Sequence, residues 1–531
     1  MTEAAQQSER DRQSHVSDWR QSLLSRNTLL VLAVAVVAAI VRFWHFSSLG
    51  YTHWDEFYFV ADGDIVSRLW PRGLGQIDWQ ATPFVPYTDG TLIHFLGSNN
   101  WIPLAISASY GTLSAVALYF LGSRLFGNAV GLIAAALLAT AEFSVMYSRM
   151  ALADATFNFW LIASVLFIWL GFTRGLMRFW VLAGLCAGIL LNTKYNGLFP
   201  PILAGTWLIA EFAVDTIVRG RRFVRVARSE YLPRAAGTAL MVALAIVMFT
   251  PWLVRLAHNP GLHAFLGGQS HFFAVKTPPE FIFQYYWLFT SPPTVVLAIA
   301  GIAVGIIRFT QADRLLLIYT AGWLIALSLF GAYPREALSL LPAVAIWVGR
   351  ATLELWNLLR TLRKLPDIPA AGAAAACLAV VLLSQMIPLS HMLSLRTQGY
   401  ADAAALTDRY QSSGGMLFVR TQPVAFLYLH RYPYYVATKS SIQALADNTP
   451  NVYFMTDHTL TSHPDLMDFF QLNQYRLHVI EKVPNQLYPE TILLPATEYG
   501  LSHLDDPPEV FRYILIWHAT GPLLYPSSWA S

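Results

Sequence analysis

Charge is scarce in this chain. Of its 531 residues only 13% are Asp, Glu, Lys or Arg, while 55% are hydrophobic; soluble globular proteins carry about 25% charge. That shortage excludes a string of water-soluble domains and puts most of the length in lipid. The formal net charge is +3 with the basic residues dispersed, which excludes nucleic acid as a partner. Two cysteines, Cys186 and Cys377, both lie in apolar segments, so neither a disulfide-stapled exported domain nor a Cys-rich metal site is available. The sequence has no Asn-x-Ser/Thr, which argues against a eukaryotic secretory lumen and favours a bacterial inner membrane.

What is present is a series of apolar runs. A polar tail, residues 1–27, leads into one from Thr28 to about Phe46 without a small-residue cleavage site, which reads as a retained span. Further runs, each long enough to cross about 30 Å of hydrocarbon, centre near 112, 138, 163, 186, 207, 245, 299, 322, 343 and 380. The fold class expected is a polytopic α-helical membrane protein of about eleven transmembrane helices, spanning 28–390, with a C-terminal soluble α/β domain over 391–531.

Lys and Arg near the span ends set the orientation. Arg174 and Arg178, the cluster from Arg219 to Arg234, Arg308 with Arg314, and Arg350 to Lys364 fall in alternate loops, which are therefore cytoplasmic along with the N-terminus. Segment 47–99, the loop 257–292, the junctions near 147–154, 192–197 and 331–337, and everything after 390 then face the periplasm or exterior. In that last region Tyr400 to Tyr410 and the sequence PDLMDFF have helical spacing, whereas 416–419, 426–429, 451–455 and 477–480 have the texture of short strands. It contains no transferable catalytic motif and reads as a lid or acceptor-docking module.

Four external junctions share one composition of acids, cations and aromatics. The first is Tyr51-Thr-His53-Trp54-Asp55-Glu56-Phe-Tyr58, an acidic pair just past the first span. The second, Tyr147-Ser-Arg149-Met-Ala-Leu-Ala-Asp154, offers another acid, which could equally cap the helix after it. The third, Leu191-Asn-Thr-Lys194-Tyr195-Asn-Gly-Leu-Phe199, and the fourth, Tyr333-Pro-Arg335-Glu336, each add a cation; alone, Lys194 could merely snorkel and Arg335 merely pair with Glu336. Ionisable residues at membrane depth are costly, so their convergence points to function. Charge is nearly absent from the span centres, and neither internal repeats nor helices broken mid-membrane are evident. A transporter or lipid flippase would show those features.

The order of these motifs, an acidic pair after the first span, Ser-Arg-x-x-x-x-Asp before the fourth and Lys-Tyr-x-Gly-Leu-Phe after the fifth, resembles that of the GT-C glycosyltransferases. The subgroup it is most similar to is the protein O-mannosyltransferase and aminoarabinose transferase clan, over roughly residues 28–350. The resemblance implies a polyprenyl-phosphate sugar as donor, with a lipid, glycan or protein hydroxyl as acceptor. It implies that Asp55 is the catalytic acid residue, Glu56 its neighbour and Asp154 the second acid of the cavity. Arg149, Lys194 and Arg335 would hold the donor phosphate. His53, Trp54, Tyr58, Tyr195 and the loop residue His271 are candidates for lining the substrate, and Trp54 stands where the family has a small residue or Pro. The residue types suit an inverting transfer in which Asp55 is the general base and cations stabilise the departing phosphate. A divalent cation on Asp55 and Asp154 is the alternative cofactor; a ligase moving a whole oligosaccharide would use the same donor chemistry.

Overall fold

The computed structural model describes residues 26–53, 55–77, 81–221, 224, 227–258, 290–329, 334–362, 367–412, 414–419, 421, 428, 439–449, 451–457, 460, 464–486 and 513–526. Trp54, His271 and Tyr333 lie outside them, as does the expected strand at 426–429 apart from Tyr428.

Every expected apolar run is helical. The first is α1 (Arg26–Phe43). Two shorter helices, α2 (Glu56–Leu69) and α3 (Phe84–Leu96), form a hairpin within segment 47–99, and α4 (Trp101–Phe126) returns into the bundle. The run near 138 is broken at Ala141 into α5 (Asn128–Thr140) and α6 (Glu142–Ser148), which are bent by 58°. Then come α7 (Ala153–Arg174), α8 (Met177–Leu191), α9 (Phe199–Ala213), α10 (Leu232–Ala257), α11 (Pro292–Arg308) and α12 (Gln311–Leu329). The one-turn α13 (Pro334–Ala337), α14 (Leu341–Leu362) and α15 (Asp367–Ser394) complete the bundle. By length and composition eight helices among the described residues can cross a membrane, nine with the bent pair; α8 and α11 are apolar but shorter.

Small residues let the helices approach closely, as packing in lipid requires. A Cβ on Gly122 of α4 would come within 2.9 Å of the Gly131 Cα on α5, and one on Gly131 within 2.5 Å of the Tyr119 carbonyl oxygen. Two buried arginines close helix ends. Arg42 of α1 donates to the carbonyls of Leu138 and Ala139, at the end of α5, and to Ser144 Oγ at 2.9 Å. Arg149, fully buried, donates through Nη1 to the carbonyls of Val41, Arg42 and Trp44 at the end of α1, at 3.2, 3.2 and 2.7 Å. Last-turn carbonyls lack intrahelical donors, and a guanidinium supplies several from one side chain.

The C-terminal domain is the expected α/β unit. Strands β1 (Gly415–Val419), β2 (Val452–Thr456), β3 (Leu477–Pro484) and β4 (Tyr513–Ala519) form a sheet of order β1-β2-β4-β3, with β1 and β2 parallel and β4 antiparallel to both neighbours. Gly415 pairs with Val452, and Ala519 with both Val452 and Leu477. One face packs Met416, Phe418 and Met455 against α16 (Gly399–Gln411); the other packs Leu417 and Phe454 against α17 (Lys439–Asn448) and α18 (Pro464–Leu472). Just past β2, Asp457 accepts a 2.6 Å hydrogen bond from Tyr400 of α16.

Candidate active site

Asp55 begins α2, and its backbone N–H donates to His53 Nδ1 at 3.0 Å. The loop before it is held by Glu56, which is fully buried. One carboxylate oxygen accepts the N–H groups of Thr52 and His53 at 2.5 and 2.7 Å, and the other accepts that of Ala151 at 2.6 Å. Burial pushes the Glu56 carboxyl up and these amides pull it back, leaving it above the usual range. Glu56 is thus a clasp joining α2 to the turn between α6 and α7, with both oxygens occupied. Glu56, expected as the neighbour of Asp55 in the site, has both carboxylate oxygens on backbone amides.

The Asp55 carboxylate points the other way, onto Arg335 of α13, whose Nη1 donates to Oδ2. Arg335 Nε also lies 4.0 Å from Glu336 Oε1. The same Glu336 oxygen is 3.7 Å from Lys194 Nζ, and Lys194 donates to Asp154 Oδ1 at 2.6 Å. Asp55, Arg335, Glu336, Lys194 and Asp154 therefore form one chain of alternating charge. It is built from the start of α2, α13, the turn after α8 and the first turn of α7. The Asp154 side chain is 4% exposed and that of Asp55 27%, so the chain runs from the packed interior towards solvent. Burial pushes the Asp55 carboxyl up, but Arg335, His53 and Lys194 outweigh it and hold it below the usual carboxylate range. The carboxylate is ionised at neutral pH.

The structure brings together Asp55, Asp154, Lys194 and Arg335, as the sequence predicts, and adds Glu336 as the link between the two cations. The sequence shows Glu336 only as a neighbour that could pair with Arg335. Its adjacency in sequence was visible, whereas its approach to Lys194 depends on how α13 packs. Asp154 makes no capping hydrogen bond; Leu152 occupies the cap of α7 and the Asp154 carboxylate faces Lys194.

Three other expected residues take different places. Arg149, expected on the donor phosphate, sets its Nη1 on the last carbonyls of α1, while its Nε and Nη2 have no hydrogen-bond partner among the described residues. Tyr195 accepts a hydrogen bond from Trp252 Nε1 at 3.1 Å, and Tyr58 packs against the bundle core. The expected divalent-cation site on Asp55 and Asp154 is a poor fit. Each carboxylate already faces a protein cation, and no three His, Cys, Asp or Glu side chains converge on a metal-sized site among the described residues.

The opposite end of the bundle is structural in character. Arg314 of α12 binds both oxygens of Glu211 at 2.6 Å, nearly fully buried, and Asp215 meets Arg219 and Arg221 at 2.7 and 2.9 Å. These ion pairs join neighbouring helices or successive turns.

Comparison with known proteins follows this geometry. The family model described as dolichyl-phosphate-mannose-protein mannosyltransferase matches residues 80–255, which hold Arg149, Asp154 and Lys194. No curated protein matches the chain by sequence. The archaeal oligosaccharyltransferase AglB from Archaeoglobus fulgidus, in complex with an inhibitory peptide and a dolichol-phosphate, has a TM-score of 0.63 at 12% identity, covering 93% of this chain and 88% of that one. ArnT from Cupriavidus metallidurans bound to undecaprenyl phosphate has a TM-score of 0.59 at 14% identity, covering 92% and 97%. At such identities the likeness is one of fold. The family model matches one segment of the chain, and over nearly its whole length the chain shares the GT-C-like fold of AglB and ArnT.

Proposed function

We propose that the chain is a membrane glycosyltransferase that moves a sugar from a polyprenyl-phosphate donor to a hydroxyl acceptor, with inversion at the anomeric carbon. The observation that carries this reading is the charge chain from Asp55 to Asp154. It sets an ionised carboxylate beside two cations at the end of a lipid-embedded bundle, the depth at which a polyprenyl tail would present its phosphate and sugar to water. Two relatives in fold were solved with polyprenyl phosphates, dolichol-phosphate on AglB and undecaprenyl phosphate on ArnT, which supports the donor class.

In the reaction the acceptor oxygen attacks the anomeric carbon from the face opposite the phosphate. Its proton passes to Asp55, and the C–O bond to phosphate breaks with its electron pair leaving on the polyprenyl phosphate. Negative charge grows on that phosphate, and Lys194 and Arg335 are the donors close enough to Asp55 to receive it. As Arg335 turns from Asp55 to the leaving phosphate, Asp55 becomes a stronger base when the proton arrives. The protein's own cations, Lys194 and Arg335, take the role a metal would have.

The site faces the periplasm or exterior of a bacterial inner membrane in this reading. The arginine-rich loops around Arg219–Arg234 and Arg308–Arg314 lie at the other end of the bundle and mark the cytoplasmic side. The test is incubation of purified full-length protein with radiolabelled polyprenyl-phosphate monosaccharides and envelope acceptors. Label transfer by the wild type and none by folded Asp55→Asn is expected; equal transfer by both overturns the assignment of the base.

A further inference from the structure

Residues 47–51 connect α1 to the loop that carries Asp55, and their backbone is held from the far end of the sequence. The Ser47 carbonyl accepts from Gln398 Nε2 at 2.5 Å and the Ser48 carbonyl from the Thr397 N–H at 3.2 Å. Gly50 N–H donates to Thr397 Oγ1 at 3.0 Å, and the Gly50 carbonyl accepts from the same hydroxyl at 3.3 Å. Tyr51 N–H donates to Tyr428 Oη at 3.1 Å, with the two rings 5.7 Å apart. Gly50 is needed at this contact: a Cβ there would lie 2.5 Å from the Thr397 carbonyl oxygen and 2.9 Å from Tyr428 Oη.

The next two residues, Thr52 and His53, are clasped by Glu56. Thr52 and His53 are thus held between the Tyr428 contact and Asp55, and the Asp55 N–H is itself bonded to His53 Nδ1. Reactive groups must be held to within fractions of an ångström, and a displacement of about 1 Å costs on the order of 10²-fold in rate.

We propose that the C-terminal domain is a positioning element for Asp55: Thr397 and Tyr428 seat residues 47–51 and thereby fix where the Asp55 carboxylate meets Arg335. The inference rests on the proposed role of Asp55. It gives the domain a part in the chemistry beyond covering the site or docking the acceptor. An acceptor bound on the domain could then be sensed at the carboxylate through four residues of chain.

The experiment compares full-length wild type, Tyr428→Phe, Thr397→Val and Thr397→Ser in detergent. Tyr428→Phe keeps the ring and removes the oxygen that accepts the Tyr51 N–H; Thr397→Ser keeps the hydroxyl that Thr397→Val lacks. Hydrogen exchange is read on peptides covering 49–58, with peptides from α4 as the internal reference. Turnover of a radiolabelled polyprenyl-phosphate sugar is read against donor concentration and pH. The expected result is exchange about tenfold faster at 49–58 alone in Tyr428→Phe and Thr397→Val, kcat lower by about 10- to 100-fold and donor KM within about twofold. The acid limb of the pH profile moves upward as Asp55 loses its close contact with Arg335, and Thr397→Ser restores exchange, kcat and pH profile. Unchanged exchange at 49–58 overturns the inference, as does faster exchange with kcat and pH profile unchanged. If wild type consumes no donor, the proposed function fails instead, and the exchange arm still decides whether the domain holds this loop.

Discussion

Asp55 and Arg335 lie 280 residues apart in the chain and form one ion pair at the end of the bundle. The pair sets the resting state of the site, because the guanidinium keeps the carboxylate ionised and the carboxylate holds the guanidinium at the start of α2. Replacing Asp55 by Asn keeps the shape and removes the base. Turnover of a polyprenyl-phosphate sugar should fall by about 10²- to 10⁴-fold, with the thermal unfolding midpoint in detergent within a few degrees of wild type.

The same pair predicts a pH dependence with a definite sign. Because the Asp55 carboxyl titrates below its usual range, the pair's contribution to stability is complete above the unfolded value, about 3.9, and is lost as pH falls through the folded one. kcat/KM should therefore show no acid limb from Asp55 above the ordinary carboxylate range. In Arg335→Gln burial acts with its main opponent gone, so the acid limb should climb. A rate profile of this variant that overlays the wild type would show that Arg335 does not control Asp55.

Glu56 separates structure from catalysis. Its carboxylate accepts three backbone N–H groups from two parts of the chain, and a Gln has only one acceptor oxygen. Glu56→Gln leaves at least one buried N–H unmet at about 1 to 3 kcal/mol. The expected outcome is a lowered unfolding midpoint and poor yield, unlike Asp55→Asn; a Glu56→Gln protein that is as stable as wild type but inactive would return Glu56 to the chemistry.

The fold and much of the site could be read before any coordinates. Apolar runs long enough to span lipid have no other common use, so each became a helix, and the acids and cations at the span ends met because alternate junctions share one end of the bundle. The hold of Arg149 Nη1 on α1 is not legible, because a sequence does not tell whether an arginine at a span end turns to water or to the orphan carbonyls of the adjacent helix. Strand β4 was missed for a related reason. Tyr513–Trp517 runs Tyr-Ile-Leu-Ile-Trp without polar alternation, as suits a strand between β2 and β3, and β4 is distant in sequence from both. The hold of Thr397 on Gly50 spans 347 residues and leaves no periodic trace.

The two carboxylates proposed for a metal are each matched to a protein cation. Dialysis against EDTA should therefore leave turnover within about twofold of the untreated enzyme, since the leaving phosphate is met by fixed donors. Loss of activity restored by Mn²⁺ or Mg²⁺ would overturn this and move Asp55 from base to ligand.

Lys194 tests the inner half of the charge chain. Removing it leaves Asp154 buried without its 2.6 Å partner, and breaking a buried pair from one side typically costs about 3 to 5 kcal/mol. Lys194→Met should therefore destabilise the protein strongly, and Asp154→Asn added to it should restore most of the stability by removing the stranded charge. If Lys194 serves only to neutralise Asp154, the double variant recovers turnover together with folding. If it also receives the leaving phosphate, the double variant folds yet turns over about 10²- to 10³-fold more slowly than wild type, and this second outcome is the one expected. A double-mutant cycle on unfolding midpoint and kcat, run on the same four preparations, separates the two roles because the stability terms cancel while the rate terms do not.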